Sequence, residues 1–312
     1  MTLFEGFMHA NIYLRISKIS KSFESMDAKK YKLGLALSGG GAKGFAHCGA
    51  LLALEEFGLR PEVIAGTSAG AIVGALYAAG NSPLAISKMF MGKEFTNFVK
   101  FLIPKSGFFD HSPFGEFISE NLHVSTFEEL QIPMHVVASD LDNGVSKVFS
   151  SGNLRESIMA SCSLPVIFNP VVIGGIHYVD GGIFRNFPVT PIRDLCDQVI
   201  GINVSPLISD EYKQSIISIA MRAYHFMFRA NALEDEALCD YMVEVKDTSQ
   251  YSTFDLDNIN DIFLHGYHST VAVLENTYGL KRLLESQIYL LPESEPVEKK
   301  RRWSISFIGD KA

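Results

Sequence analysis

Val63-Ile64-Ala65-Gly66-Thr67-Ser68-Ala69-Gly70-Ala71-Ile72-Val73-Gly74-Ala75-Leu76-Tyr77-Ala78-Ala79 carries an apolar run, a glycine-flanked serine and a helix-like segment in direct succession. Its first three residues form a short apolar run of the kind found in buried strands, and 69–79 has the composition of a helix. Between them, Gly66-Thr67-Ser68-Ala69-Gly70 is a G-x-S-x-G turn in the strand-to-helix setting that a nucleophile elbow requires. Glycines on both sides remove the Cβ atoms that would obstruct so sharp a turn. The helix then directs its N-terminal N–H groups, and the positive end of its dipole, at whatever binds beside Ser68.

A second strand–loop–helix unit lies upstream. Tyr31-Lys32-Leu33-Gly34-Leu35-Ala36-Leu37 is strand-like, Ser38-Gly39-Gly40-Gly41-Ala42-Lys43-Gly44 is a loop, and a helix over 45–57 is closed by Gly58. Gly39, Gly41 and Gly44 fit the G-x-G-x-x-G dinucleotide fingerprint, but an oxyanion hole of exposed backbone N–H groups fits as well. No Lys-Ser/Thr pair follows at Walker spacing, which excludes a P-loop. A dinucleotide site needs an acidic residue at the end of the second strand, where Ala65 and Gly66 stand instead. Two glycine-lined loops at the ends of consecutive strands favour acyl transfer, one carrying the nucleophile and the other holding the oxyanion.

The base is less plain. His47 falls within the first helix, His111 in an apolar loop, and His265 and His268 in a late helix. His177, just before the strand-like pair Tyr178-Val179, is the best placed of the histidines. Asp180 in Ile176-His177-Tyr178-Val179-Asp180-Gly181-Gly182 ends an apolar stretch and precedes two glycines that permit a sharp turn, although an Asp-Gly pair also suits a hairpin.

Together these residues resemble the patatin-like phospholipase family. Gly39-Gly40-Gly41-Ala42-Lys43-Gly44 is similar to that family's oxyanion loop, Gly66-Thr67-Ser68-Ala69-Gly70 to its elbow, and Asp180-Gly181-Gly182 to its D-G-[GA] motif. Ala138-Ser139-Asp140-Leu141-Asp142-Asn143-Gly144, Ala160-Ser161-Cys162-Ser163-Leu164-Pro165 (with Phe168 and Pro170) and Asn186-Phe187-Pro188 follow further family segments, so the resemblance runs from about 32 to 205. It implies a Ser–Asp dyad without a catalytic histidine: Ser68 as nucleophile and Asp180 as its partner. Backbone N–H groups of Gly39, Gly40 and Gly41 would form the oxyanion hole, with Lys43 and Gly44 supporting the loop. The implied reaction is hydrolysis of a lipid or lysolipid ester through an acyl-enzyme. A free aspartate titrates near 3.9, so Asp180 needs burial or an orienting role to act at neutral pH. Lys43 is otherwise an exposed first-turn lysine, and Asp140 is expected to cap local N–H groups. Two alternatives stay open: a Ser–His–Asp esterase using His177 or a distant histidine, and a non-catalytic lipid- or partner-binding module on the same fold.

Composition bounds the rest. The chain has 312 residues and a net charge of -8, which argues against nucleic acid as a partner. Cys48, Cys162, Cys196 and Cys239 show no paired or zinc-like spacing, and no metal or cofactor is expected. Cys48 and Cys162 fall in apolar segments and are expected as reduced core residues. No apolar run of membrane-spanning length and no signal-peptide pattern occurs, so a cytoplasmic enzyme is expected, with peripheral membrane contact left open. The βαβα alternation predicts an α/β fold, a three-layer α/β/α architecture with a mainly parallel central sheet. Its catalytic core should span 31–206, preceded by a helical extension at 1–30. A mostly helical part at 207–312 should follow, with a basic tail at 299–303. The phenylalanine-rich stretch 95–118 is expected as a helical cap or an acyl-pocket lining, and Ser125-Thr126-Phe127-Glu128 as a capping box. Oligomeric state is not legible.

Overall fold

The computed structural model describes residues 29–91, 112–206 and 215–277. The expectations for the N-terminal extension, for the phenylalanine-rich segment before 112, for the last helix beyond 277 and for the basic tail lie outside the described residues.

β1 (Tyr31–Leu37), β2 (Val63–Thr67), β3 (Met134–Asp140), β7 (Cys196–Asn203) and β8 (Tyr241–Glu244) form a parallel sheet in the order β3-β2-β1-β7-β8. These strands are apolar on both faces, as strands covered on both sides must be. Leu33, Leu35 and Leu37 of β1 enter one core with Ile64, Ile200 and Ile202, whereas Ala36, Val63, Ala65 and Val199 enter another. The first core is closed by α1 (Phe45–Glu56), α2 (Ala69–Ala78), α3 (Pro83–Met91), α4 (Ser112–Leu122) and α9 (Ile259–Asn276). The second is closed by the short α7 (Thr190–Arg193) and by Ala232 of the 21-residue α8 (Ile216–Glu236). The three-layer expectation therefore holds. Phe114 and Phe117, the described end of the phenylalanine-rich stretch, pack on the first core.

The sheet departs from parallel where it builds the site. β4 (Val145–Phe149) pairs antiparallel with β3 across residues 136–140. It fills one edge of that segment, so β2 and β6 (Ile176–Asp180) must divide the other. β2 takes Met134 to Val137, and β6, running antiparallel, takes Ala138 to Asp140. The two strands meet end to end: Thr67 lies opposite Val137 and Asp180 opposite Ala138. The residue after Thr67 is Ser68.

One local expectation is corrected and one alternative falls. The capping box sits one residue later than expected: Glu129, not Glu128, accepts from the backbone N–H of Thr126 (3.0 Å), while Glu128 accepts from Gly152 N–H (3.1 Å). Ser125 and Thr126 are both cap-competent and both glutamates can answer them, so spacing alone does not set the register. The Asp180-Gly181 step is not a hairpin either. Gly174-Gly175 makes the hairpin between β5 (Val171–Ile173) and β6, and Asp180 leads into the short α6 (Gly182–Arg185). Among the described residues no helix is long and apolar enough to cross a membrane.

Candidate active site

Ser68 occupies the apex between β2 and α2 with φ 51° and ψ -119°, a region that L-residues avoid. Such a conformation costs about 1–3 kcal/mol and persists only when its surroundings enforce it. Here they do. Ser68 N–H donates to Ser161 Oγ (2.8 Å), and Ser161 in turn donates to Val137 O (2.6 Å). Ser68 O accepts from Ala71 and Ile72 N–H (2.9 and 3.1 Å), starting α2. Gly66 and Gly70 are required by contact: a Cβ on Gly66 would lie 2.5 Å from Gly70 O, and one on Gly70 would overlap the Leu37 carbonyl.

The glycine loop leaves β1 alongside this elbow. Its entry is fixed by His47 Nε2 on Ser38 O (2.8 Å) and by Val204 N–H donating to Ser38 Oγ (3.0 Å). Ala42 N–H donates to Thr253 O (2.8 Å), next to Gly41 at φ +59°. Gly39 differs from the expectation for it. Its N–H is engaged with Asn186 O (3.0 Å), because the chain is tied there to the segment after α6. Its lack of a side chain still matters, since a Cβ would sit 2.5 Å from Asn186 Oδ1 and 3.3 Å from Ser68 Cβ. Among the described residues, Gly40 and Gly41 N–H make no hydrogen bond. Ala69 N–H, at the first position of α2, likewise makes no hydrogen bond among the described residues.

Asp180 ends β6 and is fully buried. Its N–H donates to Ser163 O (2.9 Å), its carbonyl accepts from Ser139 Oγ (2.9 Å), and Oδ1 accepts from Gly182 N–H (2.8 Å). Oδ2 is buried and has no hydrogen-bond partner among the described residues. Burial pushes the carboxyl up to about 6, opposed by the Ser68 hydroxyl, the Gly182 N–H and the Tyr224 hydroxyl. The Ser68 side chain thus lies close enough to favour the carboxylate. Ser161 holds the backbone of Ser68 and Ser163 that of Asp180, so one segment brackets both groups. Between them Cys162, expected as a reduced core residue, is a free cysteine packed against the first core. The residue is part-exposed; burial, with the Asp180 charge, holds its thiol protonated well above the usual thiol range, against the Ser68 hydroxyl.

Lys43 is buried rather than exposed, in a 3-10 turn (Gly41–Gly44) ahead of α1, and burial together with the Lys43 charge lowers the pKa of His225. Gly44 brings that turn against α2, where a Cβ would lie 2.7 Å from Ala69 Cβ. Asp140 caps its own turn as expected, accepting from Asp142 and Asn143 N–H (3.1 and 2.9 Å). His177 lies on strand β6 rather than in a loop. Its exposed ring pairs with Asp142 (3.0 Å), three residues from Asp180 and therefore on the opposite face of the strand. Among the described residues no histidine hydrogen-bonds Ser68, and no group of three or more His, Cys, Asp or Glu side chains could hold a metal; His111 lies outside them.

Sequence reasoning missed Ser161, Ser163 and Tyr224. The two serines stand in a segment already singled out by its resemblance, but which backbone each would hold follows only from how α5 (Leu154–Ser161) approaches β3. Tyr224 carries no motif.

The model of the family described as patatin-like phospholipase matches residues 35–192, a span that includes the glycine loop, the elbow and Asp180. The lysophospholipase NTE1 of Saccharomyces cerevisiae is 29% identical over 204 residues, covering 63% of this chain and 12% of its own length. An uncharacterized NTE family protein of Mycobacterium tuberculosis is 32% identical over 187 residues, covering 56% of this chain and 49% of its own. The chain therefore spans half or less of the length of these relatives. Among solved structures, VipD from Legionella pneumophila aligns over 80% of this chain and 67% of its own with a TM-score of 0.48 at 15% identity. With half of its length matched by that family model, the chain belongs to the patatin-like phospholipase family.

Proposed function

We propose that the chain is a serine lipid acyl hydrolase that cleaves carboxylic esters through an acyl-enzyme on Ser68, with Asp180 as its partner. One observation carries this reading: a serine in a strained elbow lies beside a buried carboxylate that has one unserved oxygen. As Ser68 Oγ attacks the ester carbonyl, its proton passes to Asp180. With its pKa raised to about 6, Asp180 is a stronger base than a free aspartate yet still ionised at pH 7. The carbonyl oxygen becomes an oxyanion, which Gly40 and Gly41 N–H receive together with the N-terminus of α2. Each such donor is worth about 2.7–4 kcal/mol in comparable sites. Collapse of the tetrahedral intermediate breaks the ester C–O bond, and the leaving alcohol takes the proton from Asp180. Water then attacks the acyl-serine, giving its proton to Asp180, and the fatty acid departs as Ser68 Oγ is reprotonated. Gly39, Lys43 and Gly44 support the loop. No metal or cofactor enters these steps.

A relative named lysophospholipase makes a lysophospholipid the first substrate to try, and such a substrate implies peripheral work at a lipid surface. The test is fatty-acid release from lysophosphatidylcholine micelles and from diacylphosphatidylcholine vesicles by the wild type, Ser68→Ala and Asp180→Asn. Release that both substitutions abolish supports the proposal. No release by the wild type from either lipid, or release that survives Ser68→Ala, overturns it.

A further inference from the structure

Resting on the dyad reading above, a further question concerns what holds the acid. Asp180 Oδ2 is buried and unpartnered, and a stranded buried acceptor is costly. The groups facing this carboxyl are few. Among the described residues they are the Ser68 hydroxyl from the elbow, the Cys162 thiol at the end of α5, the Gly182 N–H of α6 and the Tyr224 hydroxyl of α8, with no cation. Gly182 already serves Oδ1, and a thiol is a weak donor. Ser68 surrenders its proton during the reaction. Tyr224 is the remaining strong donor.

The fold delivers that phenol firmly. Tyr224 is buried, its hydroxyl lies 3.5 Å from Asp180 O, and its ring packs edge-on against Phe228 at 4.3 Å. α8 is fastened to the chain just after Asp180. Asn231 Nδ2 donates to Gly182 O (2.7 Å), Asn186 N–H donates to Asn231 Oδ1 (2.8 Å), and Arg185 pairs with the buried Asp235 (2.6 Å). The contact with the carbonyl is at the far end of hydrogen-bond length, so little holds the phenol proton away from the neighbouring carboxylate.

We propose that Tyr224 is a positioning residue for Asp180: its phenol donates to the carboxylate and keeps it aimed at Ser68 through the proton transfer. Tyr224 lies outside the residues that the family model matches, so the donor comes from a part of the chain that the family motifs do not describe. The direction of its influence agrees, since its hydroxyl favours the ionised form of Asp180 against burial.

The test is the pH dependence of kcat on a soluble acyl ester for the wild type, Tyr224→Phe, Asp180→Asn and a protein with 3-fluorotyrosine at 224. Tyr224→Phe keeps the ring and its packing but removes the donor. The acid limb of kcat should move to higher pH by about one unit, the equivalent of one hydrogen bond to a charged acceptor, with KM little changed. Fluorination strengthens the donor without changing the shape, so the limb should move the opposite way even if the phenylalanine variant folds poorly. If Asp180→Asn is inactive while both tyrosine changes leave the limb in place, this inference fails and the dyad reading stands. If Asp180→Asn keeps wild-type kcat, the dyad reading fails and takes this inference with it.

Discussion

Replacing Asp180 with asparagine should make the protein more stable at pH 8, and the gain should vanish in acid. In the folded protein burial raises the carboxyl from 3.8 to about 6. Because the folded pKa lies above the unfolded one, the group's favourable contribution is fully present below about 4 and is lost as pH rises through 6. The gap of about two units corresponds to about 3 kcal/mol at neutral pH and above, the penalty for holding a buried carboxylate ionised. Asparagine keeps an oxygen for the Gly182 N–H and carries no charge, so it removes the penalty along with the base. His47 acts in the opposite sense: burial lowers it from 6.5 to about 4, so its contribution is full above 6.5 and is lost as pH falls toward 4. The wild-type stability curve blends the two slopes, and only the difference between variant and wild type isolates Asp180. Urea unfolding followed by circular dichroism from pH 4 to 8 reads that difference directly; the sole tryptophan, Trp303, lies outside the described residues. A gain equal at pH 4 and pH 8, or a variant less stable at pH 8, would show that Asp180 carries no such burial penalty.

Three other outcomes follow from particular contacts. Ser161→Ala leaves Ser68 N–H and Val137 O unserved, so kcat should fall about tenfold or more with KM little changed, and stability should drop by about 1–3 kcal/mol; unaltered kinetics would mean that the elbow holds its shape without this bracket. Gly39→Ala forces a methyl group to within 2.5 Å of Asn186 Oδ1 and against Ser68, and ester hydrolysis should fall by tenfold or more while lipid binding by sedimentation persists. His177→Ala should keep wild-type kcat, since its ring serves Asp142 on the far side of β6; a general base would be worth about 10²–10⁴-fold, so a loss of that size would restore the Ser–His–Asp alternative.

What the sequence disclosed and what it hid divide along a physical line. The glycine loop and the elbow were legible because their geometry is local: a chain that turns sharply past Ser68, or approaches Asn186 as closely as Gly39 does, excludes side chains within a few residues. The parallel sheet was legible for the same reason, through apolar runs alternating with helical stretches. Asp180 needed the resemblance, because an Asp-Gly pair is compatible with the hairpin that Gly174-Gly175 in fact provides. The sharing of one β3 edge by β2 and β6, which sets Asp180 against the elbow, is a tertiary fact that no local pattern encodes. The same holds for the Ser161–Ser163 bracket and for Tyr224, brought in 44 residues after Asp180 by a helix docked on α6. Lys43 had two readings, loop support or an exposed first-turn lysine, and only the fold shows that it is buried.

Acylation of Ser68 can be read from the protein itself by covalent labelling. The protein would be treated with a fluorophosphonate and digested, and the adduct located by mass spectrometry, with Ser68→Ala and Asp180→Asn in parallel. A single adduct on Ser68 is expected, absent from Ser68→Ala and formed far more slowly by Asp180→Asn. An adduct on Cys162 or another residue, or no adduct in a wild type shown to be folded, would contradict it.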